Sequence, residues 1–167
     1  VSDTTAPVLV IGIGNTLLRD EGAGVLAVRE LEAAAASSPL PAGVQLVDGG
    51  TLGLDLLPLV EEAEALVLID AIESGSAPGS VCVLRDAEVE ARLGGKLSAH
   101  QIGVGDLVAV ARLRGTLPAH TSLVGIQPAH IEVGLELSGE VAEALPDLVA
   151  QARAEVIRLA TDEEPSG

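Results

Sequence analysis

Three side chains of this sequence could hold a divalent cation and hydrolyse a bond beside it: Glu21, Asp70 and His100, with Asp48 as a fourth, tentative candidate. Glu21 sits in GIGNTLLRDEGAG (12–24), Asp70 ends the apolar run ALVLID (65–70), His100 lies in KLSAHQ (96–101), and Asp48 opens DGGT (48–51). Two carboxylates and an imidazole supply oxygen and nitrogen ligands and leave positions open for water or substrate, a donor set that suits Ni, Zn, Co or Mn. Their wide spacing is far less specific than HExxH, which is absent. Each therefore also has an ordinary structural role open to it. Asp20 and Glu21 can satisfy orphan N–H groups at a helix start, worth about 0.5–2 kcal/mol for a good cap, Asp70 can cap a strand end, and His100 can partner a helix cap.

Other chemistries fail on their own residues. A dinucleotide turn of the form GxGxxG would need glycine where Leu17 stands, and Asp20 and Glu21 at the following helix start would repel a pyrophosphate. A P-loop is excluded because Gly95-Lys96 is followed by Leu97 rather than Ser or Thr. Cys82, between Val81 and Val83, reads as a core thiol. Ser98 stands two residues from His100 with no GxSxG elbow, and His120 and His130 read as surface or structural residues.

The elements that must position these groups follow from hydrophobic periodicity. Apolar, β-branched runs predict strands at about 7–13, 44–48, 65–70, 80–85 and 121–126. Amphipathic stretches predict helices at about 21–36, 54–63, 103–114 and 139–160, with a helical turn near 86–92. Within the first helix Val25, Val28, Arg29 and Glu32 keep the helical period, and Pro146 predicts a kink or interruption of the last one near Leu145. Alternation of this kind gives a three-layer α/β/α sandwich around a mostly parallel sheet of about five strands. In such a sheet the loops leaving the strand carboxyl ends share one edge, which gathers Glu21, Asp70, the 96–106 segment and the DGGT turn. Residues 1–6 and 161–167 are expected to fray.

Composition bounds the partners. At 167 residues, 48% of them apolar, and a mean hydropathy of +0.46, the chain reads as one globular domain. Nine Lys and Arg against 25 Asp and Glu give a formal charge of −16, which disfavours nucleic acid and anionic membrane and favours cations or basic partners. There is no Phe, Tyr, Trp or Met, so no aromatic platform exists for bases or sugars. With a single cysteine, no signal-like start and no long apolar run, the expected setting is the cytoplasm, without a membrane span.

Five segments in series resemble the hydrogenase maturation proteases: GIGNTLLRDEGAG, DGGTLGLDLL (48–57), VLIDAIESGSAPG (67–79), KLSAHQIGVGDLVAVARLRG (96–115) and LVGIQPAHIE (123–132). The similarity spans about residues 8 to 160. It implies an α/β/α fold and an endopeptidase that removes a C-terminal extension from the large-subunit precursor of a [NiFe] hydrogenase once nickel has been inserted. It also implies that Glu21, Asp70 and His100 are the nickel-recognising residues, and that Asp48 has a supporting or catalytic part. Nickel would then arrive with the substrate, held by that subunit's cysteines, with no resident cofactor and a monomeric enzyme. Cleavage in this family follows a His or Arg beyond the last cysteine ligands, which a carboxylate-rimmed crevice would suit. Class specificity is expected in loops such as 73–79 and 115–120. Two other readings share the residues: a nickel-holding accessory protein without peptidase activity, and a resident-zinc hydrolase of small amides.

Overall fold

Two segments of the chain are apolar at nearly every position, and both become interior strands. The structure is a computed structural model that describes residues 7–94 and 102–161. In it β1 (Val8–Ile13) and β3 (Ala65–Ala71) lie side by side and parallel, with every β3 residue buried. A strand covered on both faces has no polar side to present, which is why these runs do not alternate. β2 (Val44–Gly50) flanks β1, β5 (His120–Ile126) flanks β3, and β4 (Val81–Arg85) closes the far edge, giving the order β2-β1-β3-β5-β4.

All pairings are parallel except β4 with β5, which is antiparallel. The reason is the link from β3: residues 72–80 contain no helix and are too few for the crossover that a parallel neighbour requires.

Helices cover both faces. α1 (Ala23–Ala34) and α5 (Gly139–Thr161) bury Val28, Leu31, Leu148 and Val156 against Val10, Val67 and Val124. On the opposite face α2 (Leu57–Glu62), α3 (Ala87–Gly94) and α4 (Ile102–Leu113) bury Val60, Val89, Leu107 and Val108 against Leu9, Ile11, Leu66 and Leu68. The two sets alternate along each strand, as period-two geometry requires. The three-layer sandwich expected from the sequence is therefore present, its core aliphatic throughout.

Two local expectations are revised. α5 runs unbroken through Pro146, so the expected interruption is absent; a proline removes one ladder hydrogen bond, and the turns on either side are held by fully buried Val141 and Leu148. In α1 the buried stripe is Val25, Val28 and Leu31, while Arg29 and Glu32 fall on the exposed side. No helix among the described residues is long and apolar enough to cross a membrane.

Candidate active site

After β1 the chain continues to β2 on one side, whereas β3 lies on the other, so the loops leaving β1 and β3 diverge and open a crevice between them. The glycine turn brings Glu21 across that crevice. Gly14 has φ +142, donates its N–H to the Gly50 carbonyl at 3.0 Å, and lies so near the Glu21 carbonyl that a Cβ would collide with it. At Gly24 a Cβ would meet the carbonyls of Ile13 and Ile69, the ends of β1 and β3. Only glycine lets the start of α1 settle onto the strand ends. Between these glycines a short 3-10 turn, Arg19–Gly22, carries Glu21.

Glu21 and Asp70 line one pocket of ≈ 160 Å³, with Gly14, Gly50, Thr51 and Leu56 around them and Val104 and Leu107 of α4 on the far wall. Asp70 shares the strand parity of Leu66 and Leu68, so it points to the α2–α4 face, and only 3% of its surface is exposed. Burial pushes its carboxyl well above the usual carboxylate range, the Ala71 N–H opposes the shift, and the charge of Glu21 adds to it. A buried acid beside a second acid is relieved when a cation enters, because the metal offsets both the lost hydration and the repulsion. The pair therefore fits a metal ion in its surroundings as well as in its donor atoms.

His100 lies outside the described residues. The described chain resumes at α4, whose Gly103 and Val104 line the pocket. Among the described residues no group of three metal-ligating side chains occurs.

Asp48 is at the same edge but turned away. It shares parity with Val44 and Leu46, which face α1, and its Oδ2 accepts bonds from Arg29 Nε at 3.1 Å and Nη2 at 3.0 Å. The DGGT turn reaches the pocket through Gly50 and Thr51 instead. Cys82 is half-buried on the edge strand, where burial pushes its thiol up. His120 and His130 are both exposed.

Asp20 caps no helix; neither the 3-10 turn nor α1 has a side-chain cap bond. Fully buried, it reaches the loop after β5: Oδ2 accepts from Ala129 N, His130 N and Ser138 Oγ, each at 2.8 Å, and Oδ1 from Ser138 N at 2.7 Å. Burial pushes its carboxyl up, but these bonds outweigh that and leave it below the usual value. Arg19, at φ +52, adds a second clamp through Nε to the Glu136 carbonyl at 3.0 Å and Nη1 to Glu132 at 2.8 Å. Buried Gln127 ties the same loop to residues 73–74, accepting from Ser74 N at 2.7 Å and donating to Glu73 at 2.9 Å. Sequence reasoning missed these partners of Asp20; a second acid beside Glu21 was their only signal.

Comparison with known proteins agrees with this architecture. A family model described as hydrogenase maturation protease matches residues 25–155. The hydrogenase expression/formation protein HupD of Rhodobacter capsulatus is 45% identical over 152 residues, covering 90% of this chain and 70% of that protein. The hydrogenase 2 maturation protease of Escherichia coli (strain K12) is 40% identical over 135 residues, 80% of either chain. Of three further relatives the chain spans 59% to 64% of the length. The solved structure of the hydrogenase-maturating endopeptidase HybD from E. coli superposes with a TM-score of 0.77 at 37% identity, covering 87% of this chain and 88% of that one. With its glycine turn, its buried Asp70 beside Glu21 and these relatives, the chain belongs to the hydrogenase maturation protease family.

Proposed function

We propose that this chain is the endopeptidase that removes the C-terminal extension of a [NiFe] hydrogenase large-subunit precursor after nickel insertion. The observation that carries the reading is the placement of buried Asp70 beside Glu21 at the switch point of the sheet. Together with His100 they would meet nickel borne by the substrate, and no resident cofactor is needed. Metal close to the scissile carbonyl can polarise it or activate water. Asp48 takes a supporting part through its ion pair with Arg29 on α1, and the acidic chain suits a basic residue next to the cut. Self-repulsion at −16 favours a monomer, and the cytoplasm is the compartment we propose.

Mass spectrometry of a nickel-loaded precursor incubated with the chain tests this. Loss of the extension, dependent on nickel and abolished by His100→Ala with an unchanged unfolding midpoint, is the expected result. Unimpaired cleavage by that variant would sink the site assignment. An extension left attached by the wild-type chain would favour a nickel-holding accessory role, and about one equivalent of copurifying metal would favour a resident-zinc hydrolase.

A further inference from the structure

Five of the seven large apolar side chains exposed among the described residues stand on the glycine turn, the loop bridged to it, or the turn after β2. Leu17, Val133 and Leu135 are 59%, 88% and 77% exposed and stand on two loops joined by the backbone bridge of Leu18 with Gly134. Leu52 and Leu54, also exposed, flank Gly53 on the pocket's other bank. An apolar concentration around a pocket mouth marks contact with a partner, whereas single exposed leucines mean little.

The ridge formed by the first three is rigid. Gly134 N donates to the Leu17 carbonyl at 2.9 Å and Arg19 N to the Gly134 carbonyl at 3.1 Å, and the Asp20 and Arg19 clamps hold the loop on either side. Nothing in the fold requires this firm presentation of Val133 and Leu135 to solvent. A backbone already fixed loses little entropy on docking, which is how a small apolar ridge gains affinity. The ridge also adjoins the site, since Leu17 is four residues before Glu21.

Charge selects the occupant. Glu136 is exposed beside the ridge, Glu132 there is paired with Arg19, and the chain carries −16 overall, so a second copy would meet net like charge at the same patch. We propose that Leu17, Val133 and Leu135 form a docking ridge for the folded body of the precursor, seated in an apolar hollow of that protein with a basic rim. This rests on the proposed function and adds a second point of recognition away from the cut.

The test compares wild type, the double variant Val133→Asp/Leu135→Asp, and Leu113→Asp, which alters an 87% exposed leucine at the distal end of α4. Affinity for nickel-loaded precursor is measured by biolayer interferometry and cleavage by mass spectrometry, with light scattering on each protein alone. The double variant is expected to show Kd and KM raised about tenfold or more with kcat and unfolding midpoint unchanged. Leu113→Asp should match wild type. Unchanged Kd and KM in the double variant, while wild type cleaves, overturn the ridge alone. A wild-type dimer that the double variant dissolves also overturns it, because the occupant is then a second copy. Failure of the wild type to bind or cleave the precursor overturns the proposed function and the ridge together.

Discussion

Replacing Asp20 by Asn tests how the loop after β5 is held against the glycine turn. The carboxylate accepts four hydrogen bonds, three at Oδ2 and one at Oδ1. Asparagine has one acceptor oxygen, which is best placed at the Oδ2 position, and its NH2 then faces the Ser138 N–H. One bond is lost and a buried donor is left facing another, which costs about 1–3 kcal/mol. The three remaining bonds lose their charge assistance, roughly 0.5 kcal/mol or more each. Relief from burying a charge offsets part of the sum, leaving a net destabilisation of about 2–4 kcal/mol. Because the affected donors all belong to residues 129–138, the loss should appear as opening of that loop rather than of the sheet. Hydrogen exchange at the Ala129, His130 and Ser138 amides should accelerate by roughly 30- to 900-fold, the same free energy expressed as a ratio. Amides in β1 and β3 should change far less. Unchanged exchange at all three loop amides in a folded Asp20→Asn protein would refute the reasoning.

Two predictions concern pH and buried charge. Glu155 on α5, nearly inaccessible, accepts bonds from Arg85, Arg158 and Ser122; burial pushes its carboxyl up, but these partners bring it down from 4.5 to about 2. Its contribution, about 3 kcal/mol, is complete above pH 4.5 and lost as pH falls towards 2, so Glu155→Gln should flatten the acid limb of a stability–pH curve measured by urea unfolding. Asp70 has the opposite sign: its raised value means that the fold loses stability as pH climbs from the ordinary aspartate range through the folded value. Asp70→Asn should therefore raise stability near neutral pH by about 0.5–2 kcal/mol, with a smaller gain at pH 4, and abolish precursor cleavage. A variant that is both less stable and fully active would contradict the site.

The strands were legible because their composition leaves little choice. VLVIGI and ALVLIDA are apolar on both faces, and only interior parallel strands use such runs. The direction of β4 was harder to read, although the short 72–80 link contained the reason. The pairing of Glu21 with Asp70 followed from the edge to which both loops belong. The side to which Asp48 turns did not, because that depends on strand parity combined with which helices cover each face. Least legible was Asp20, whose partners lie 109 to 118 residues away and are mostly main-chain groups that leave no mark in side-chain identity.

That last circumstance bears on how the protein can change. Of the four groups held by Asp20, three are backbone N–H donors, which every residue except proline supplies. The frame of the 129–138 loop is thus indifferent to which side chains its exposed positions carry. Val133 and Leu135 can be exchanged for other residues, re-shaping the outward face, while Glu21, the residue after Asp20, keeps its place at the pocket. On the proposed function, a lineage could alter which protein it accepts without disturbing the pocket, because the outward face and Glu21 are braced by neighbouring residues of one turn.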